Sequence, residues 1–269
     1  MKNLVTSLLA LLLSTPVFAA EVDTVLVRSN SMDKDIKVVT IVPDVGKEKN
    51  CPVVYLLHGH GNRYDTWLRQ TKPELPRLAD EKGIIFVCPD GQNSWYWDSP
   101  KNAKVRFETF VSSELVRYID THYKTIADRK GRAITGFSMG GHGAMWNGIR
   151  HSDVFGAAGS TSGGVDIRPF PDNWNMKDQL GEEKDNPKIW EEHTVINLVP
   201  SMKKGQLAMV IDCGYSDFFF DVNNQFHEAL LRHGIEHDYY VRPGAHTHSY
   251  WNRSIEYQIV FFDQYFHSK

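Results

Sequence analysis

The stretch "ITGFSMGGHGAMW", residues 134–146, decides the fold. It contains Gly136-x-Ser138-x-Gly140. Alone, that pattern says little: at ordinary usage of ~7% each for Gly and Ser, a chance match turns up in roughly one chain in ten of this length. The setting is more specific. An apolar run, "RAITGF", leads into the motif, and helix-compatible residues, "GAMWNGI", follow it. A serine on a sharp strand-to-helix turn needs small neighbours two residues to either side, because larger side chains collide there. Gly136 and Gly140 meet that need, and Gly141 lets the helix pack close. Such a turn aims Ser138 at the helix N-terminus, where backbone N–H groups and the macrodipole favour developing negative charge.

A serine hydroxyl is a poor nucleophile at neutral pH and needs a base. Of the twelve histidines, His246 lies in "RPGAHTHSYW", in a loop opened by Pro243 and Gly244 just after the last predicted strand. His246 is the candidate base, with His248 its rival; His58 and His60 lie far upstream. The base needs a carboxylate to fix its tautomer. "VIDCGYSDFFFD" offers Asp212 inside the strand end, Asp221 where a helix N-cap is expected, and Asp217 in the loop beyond the strand. Asp217 is the candidate, against an ordinary turn-forming Asp. The order Ser138, Asp217, His246 is that of α/β-hydrolases. The oxyanion needs two donors. The Met139 N–H directly follows the nucleophile, and the His60 N–H sits in the glycine-opened loop "LLHGHGN".

The rest of the chain agrees with one such domain after a short leader. In "MKNLVTSLLALLLSTPVFAA", Lys2, the apolar run from Leu8 to Leu13 and "VFA" resemble a secretory signal cut after Ala19. The run is shorter than the ~20 residues needed to span a bilayer. Domain 20–269 is therefore expected to be exported, to the periplasm or beyond. Eight strands are predicted, at 23–29, 35–42, 52–58, 83–89, 132–137, 156–162, 206–213 and 237–243. The first two alternate polar and apolar, like an antiparallel edge; the third, fourth and seventh are continuously apolar, like buried parallel strands. Helices are expected over 105–122, 139–150, 222–233 and 250–266, and residues 163–200 read as an irregular cap or functional loop. A net charge of -3 and no basic stripe argue against nucleic acid as a partner.

"YLLHGHGNRYDTW" (55–67), "CPDGQNSWYWDSP" (88–100), "GFSMGGHGA" (136–144), "DCGYSDFF" (212–219) and "RPGAHTHSYW" (242–251) resemble the esterase D-like esterases. That family includes S-formylglutathione hydrolases, tributyrin esterases, feruloyl and acetyl-xylan esterases, and mycolyltransferases. The resemblance covers essentially the whole mature chain, with motifs in family order. It implies an α/β-hydrolase fold with a mostly parallel sheet of about eight strands flanked by helices, and no cofactor. It points to His246, through Trp251 five residues on, and to Asp217, through the preceding Cys-Gly pair.

The implied activity is that of a secreted serine carboxylesterase acting on short-chain acyl or hydroxycinnamoyl esters, small or carbohydrate-linked. Thioester hydrolysis of the formylglutathione kind fits an exported chain less well, and acyl transfer to a sugar hydroxyl stays open. Trp67, Trp95, Trp97, Phe218 and Trp251 are candidate substrate contacts, with Tyr96, Phe219 and Tyr250 nearby. Aromatics at strand ends suit sugar rings or flat acyl groups, or else pack the loops down. Trp174 and Trp190 would shape the acyl pocket. Two rivals lie outside the class. "HGH" (58–60) and "HTH" (246–248) have spacings that can ligate zinc, and a hydrolase fold can serve as a binding module. Cys51, Cys88 and Cys213 are expected to be free thiols, because in such a sheet intervening strands of ~4.8 Å spacing separate the first two from the third, and Cys51 and Cys88 fall at opposite ends of adjacent parallel strands.

Overall fold

Strand alternation decides where the core lies. In β3 (Val53–Leu57), Val53, Tyr55 and Leu57 face one apolar layer and Val54 and Leu56 the other, and all five are buried. In β4 (Ile85–Pro89), Ile85 and Val87 join the first layer while Phe86 and Cys88 join the second. A strand covered on both faces must be apolar at every position, which explains the continuous runs. β1 (Glu21–Ser29) and β2 (Lys34–Val42) pair antiparallel, and β1 forms one edge, exposing Val22 and Leu26.

The computed structural model describes residues 20–268. The expected export signal, residues 1–19, lies outside the described residues. The sheet has eight strands in the order β1-β2-β4-β3-β5-β6-β7-β8, completed by β5 (Arg132–Gly136), β6 (Ala157–Thr161), β7 (Ala208–Gly214) and β8 (Asp238–Arg242). β2 runs against both its neighbours; β4-β3-β5-β6-β7-β8 are parallel. Strand order reverses at β3 and β5, the place where open α/β sheets bind ligands beyond the carboxyl ends of their strands.

Helices cover both faces. α1 (Leu75–Lys82) packs on the layer with Val54 and Leu56. It starts with Pro near its N-terminus and stops at the left-handed Gly83 (φ 63°). The expected helix over 105–122 is broken into α2 (Phe107–Thr109), a π-helical stretch (Phe110–Glu114) and α3 (Leu115–His122). The Ser112 hydroxyl donates to the Glu108 carbonyl there at 2.7 Å, in the stretch where the α-helical pattern gives way. α4 (Met139–Arg150) follows β5, and between β6 and β7 the span 163–200 holds α5 (Met176–Leu180), α6 (Pro187–Glu192) and 3₁₀ turns, too short to show a period. α3, α4 and α7 (Phe220–Arg232) share the layer of Tyr55, while α8 (His248–His267) shares that of Val54. Cys51, Cys88 and Cys213 are free and buried, with β5 and β6 standing between β3 and β7.

Candidate active site

Ser138 sits at the junction of β5 and α4 with φ 58° and ψ −121°. Left-handed backbone costs a non-glycine residue roughly 1–3 kcal/mol, so the surroundings must enforce it. They do so by close packing. A Cβ on Gly140 would lie 2.2 Å from the Leu57 carbonyl oxygen, so only glycine lets α4 press against the end of β3. Phe137 is wedged between Trp67 and Trp251, at centroid distances of 4.9 and 4.2 Å, and the Ser138 N–H donates to Thr161 at 3.0 Å. The serine itself stays partly exposed.

The loops after β7 and β8 bring two further side chains to it. His246 Nε2 lies 2.8 Å from Ser138 Oγ. Its Nδ1 lies 2.9 Å from Asp217 Oδ2 and 3.1 Å from Oδ1, so the Nδ1–H donates to the carboxylate and Nε2 faces the hydroxyl as acceptor. The Asp217 carboxylate is buried and also accepts the Phe219 N–H at 2.9 Å. Phe218, Phe219 and Trp251 box the imidazole at 4.2, 5.6 and 4.9 Å between centroids. His248 points elsewhere, its Nδ1 2.9 Å from Thr71 Oγ1 on the neighbouring π-helical turn, and burial, reinforced by nearby His246, lowers its pKa. Asp221 lies in the first turn of α7, and Asp212 is fully buried on β7.

The loop after β3 forms the third side. Among the described residues, neither the His60 nor the Met139 backbone N–H has a hydrogen-bond partner. His58, fully buried, accepts the Gly91 N–H at Nε2 (2.8 Å), so its proton is on Nδ1, which donates to the Gly59 carbonyl at 2.8 Å. That carbonyl belongs to the same peptide unit as the His60 N–H. Two residues not singled out in the sequence also hold this loop: Asn93 accepts the Gly61 N–H at 2.8 Å, and Asn175 Oδ1 lies 3.1 Å from His60 Nε2. Asn175 and its neighbour Trp174 are both left-handed (φ 57° and 51°). No pattern in the sequence marks Asn93 or Asn175.

The aromatic candidates require a correction. Trp67, Trp95, Trp97 and Trp251 are all buried, as are Tyr96, Phe219 and Tyr250. Trp67 donates its indole N–H to Leu57, and Trp95 stacks on Trp97 against His142. Burial among these partners makes them packing residues. Phe218, 50% exposed, is the one candidate at the surface; it stacks on Trp174 at 5.5 Å, and Trp190 is buried. The H-x-H pairs do not converge on a metal: their four imidazoles bond to Gly59 and Gly91, Asn175, Ser138 and Asp217, and Thr71. Among the described residues no three His, Cys, Asp or Glu side chains form a metal cluster.

Residues 29–261 match the family described as "Putative esterase". The chain belongs to this esterase family. The match runs from the end of β1 into α8, spanning β2 to β8 and every loop named above. The esterase is 26% identical to an acetyl esterase of Caldicellulosiruptor saccharolyticus over 84% of this chain and 92% of that protein. It is 34% identical to an endo-1,4-beta-xylanase/feruloyl esterase of Xylanibacter ruminicola over 78% of this chain, a region forming 26% of that protein. Among solved structures, a ferulic acid esterase superposes with a TM-score of 0.80 at 29% identity, covering 93% of this chain and 99% of its own. The esterase is a carboxylic ester hydrolase of the α/β-hydrolase fold. No helix among its described residues is long and apolar enough to cross a membrane.

Proposed function

We propose that this esterase is exported and cleaves short-chain acyl or feruloyl-type esters, small or carbohydrate-linked, through a covalent acyl-enzyme on Ser138. The observation that carries this reading is the hydrogen-bonded chain Ser138–His246–Asp217 at 2.8 and 2.9 Å on a left-handed serine. His246 Nε2 takes the hydroxyl proton as Ser138 Oγ attacks the ester carbonyl, and Asp217 stabilises the imidazolium. The carbonyl oxygen becomes an oxyanion held by the Met139 and His60 N–H groups. The tetrahedral intermediate collapses, the C–O bond breaks, and His246 returns the proton to the departing alcohol. Water then attacks the acyl-serine with His246 again as base, releasing the acid and the free hydroxyl.

Phe218 borders the imidazole and stacks on Trp174, a partly exposed aromatic wall that suits a flat acyl group or a sugar ring. The names of the acetyl and feruloyl relatives support the same substrate range. The leader pattern at 1–19 supports export. The test is a panel of p-nitrophenyl acyl esters and methyl ferulate, run with wild type and Ser138→Ala. Turnover in wild type that disappears in Ser138→Ala is expected. Undiminished turnover in the variant sinks the mechanism.

A further inference from the structure

We infer that Asp212 is a positioning residue for this reaction: its one buried carboxylate fastens both ends of the loop that carries His246. The inference rests on His246 being the base. Asp212 is the fifth residue of β7, opposite Tyr240 of β8, and it is 0% exposed. Oδ2 accepts from Arg242 Nη1, and Oδ1 accepts from the Tyr250 hydroxyl. Arg242 is the last residue of β8, and Tyr250 lies in the first turn of α8. The seven residues between them, 243–249, have His246 at their centre.

Each end is held in direction as well as in place. The Arg242 guanidinium lies 3.8 Å from the Tyr257 ring centroid and 4.8 Å from that of Tyr240, which fixes its plane. The Tyr250 ring packs directly against the loop: a Cβ on Gly244 would come within 2.1 Å of Tyr250 Cδ2. The same loop is tied to the Asp217 loop, since the Gly244 carbonyl accepts the Ser216 N–H at 2.9 Å and the Arg242 carbonyl accepts the Tyr215 N–H at 3.1 Å. Few bonds lie inside the loop itself. The Thr247 N–H reaches Ala245 at 2.8 Å, and Thr247 caps α8. Its shape is therefore set from outside: by Asp212 at its two ends, by the backbone bonds to the Asp217 loop, and by Arg253 Nη2 on the Pro243 carbonyl at 2.9 Å and Thr71 on His248.

A buried ion pair adds little net stability over a well-packed apolar replacement. What it adds here is aim. Displacing a catalytic group by ~1 Å can cost about a hundredfold in rate, and the two ends of this loop are the points from which His246 can swing away from Ser138. Asp212 does not reach the serine, so it is not a second candidate for the acid; it acts through the loop.

The test uses the full chain with Tyr250→Phe, which removes one hydroxyl and keeps the ring on Gly244, and Asp212→Asn, which removes the charge facing Arg242. A fluorophosphonate that labels Ser138 counts folded sites by its final stoichiometry and reports activation of the serine by its rate. Per labelled site, kcat and the labelling rate are expected to fall together, about tenfold for Tyr250→Phe and about a hundredfold for Asp212→Asn, with KM within about threefold of wild type. A purely structural role would lower the melting temperature and leave kcat per site unchanged, and that result overturns the inference. Should Asp212→Asn fail to fold, Tyr250→Phe decides alone. His246→Ala run alongside separates the two levels. If it keeps turnover, both the mechanism and the clamp fall; if it is inactive while the clamp variants turn over normally, only the clamp falls.

Discussion

His58-Gly59-His60 and His246-Thr247-His248 are the same pattern at two corners of one site, and they divide their histidines differently. In the first, the leading imidazole is fully buried with both ring nitrogens bonded to backbone, and the trailing residue keeps a backbone N–H without a partner among the described residues. In the second, the leading imidazole stands between Ser138 and Asp217, and the trailing one bonds to Thr71. The difference follows from the backbone. His58 directly follows β3, where the sheet and the 91–97 loop enclose it. His246 stands in a loop, where a side chain can be presented to another loop. Spacing alone cannot distinguish an imidazole that shapes the site from one placed to exchange protons.

The widest separation is expected within the second pair. His246→Ala should lower kcat by about four orders of magnitude or more, whereas His248→Ala should stay within about threefold and lose roughly 1 kcal/mol of stability with its hydrogen bond. Steady-state kinetics and melting curves of the two variants check this, and equal losses would dissolve the distinction. The first pair should respond more mildly. His58→Leu frees the Gly59 carbonyl and with it the peptide carrying the His60 N–H, so kcat should drop about a hundredfold at unchanged pH optimum. His58→Asn, which can donate from nearly the same point, should recover part of that loss; no difference between the two would count against backbone positioning.

The smallest effect concerns a third imidazole, wholly interior. His142 is packed among Trp95, Trp97 and Trp146, and burial pushes its pKa down from 6.5 to about 3. The unfolded chain binds this proton below pH 6.5 and the folded chain does not, so the group's contribution is full above 6.5 and is lost as pH falls towards 3. Between pH 6.5 and 5, before most carboxylates titrate, urea midpoints should decline in wild type and less steeply in His142→Phe. Parallel declines would show that His142 is not the group responsible.

The hydrogen-bonded trio was easier to anticipate than the walls around it. Gly136-x-Ser138-x-Gly140 fixes a local backbone shape, and strand ends fix which loops lie at the same end of the sheet; the structure brings Ser138, Asp217 and His246 within hydrogen-bonding distance. All eight strands were legible: the inner ones because runs such as "VVYLL" (53–57) and "LAMVI" (207–211) are apolar at every position, covered on both faces, and the first two because they alternate. The aromatics were not legible in the same way. Whether Trp95 or Trp97 faces solvent depends on the 163–200 segment folding over them, and that segment's helices are too short to announce themselves. Asn93 and Asn175 were invisible for a related reason: their contacts lie 32 and 115 residues away along the chain.

The three cysteines carry a consequence for where such a chain can work. None is bonded to another, all are buried, and burial raises their thiol pKa values so that little thiolate forms at neutral pH. The fold thus needs no oxidant to reach its final form and offers no reactive sulfur once there. Reducing and oxidising surroundings alike therefore meet the same three unpaired, buried thiols.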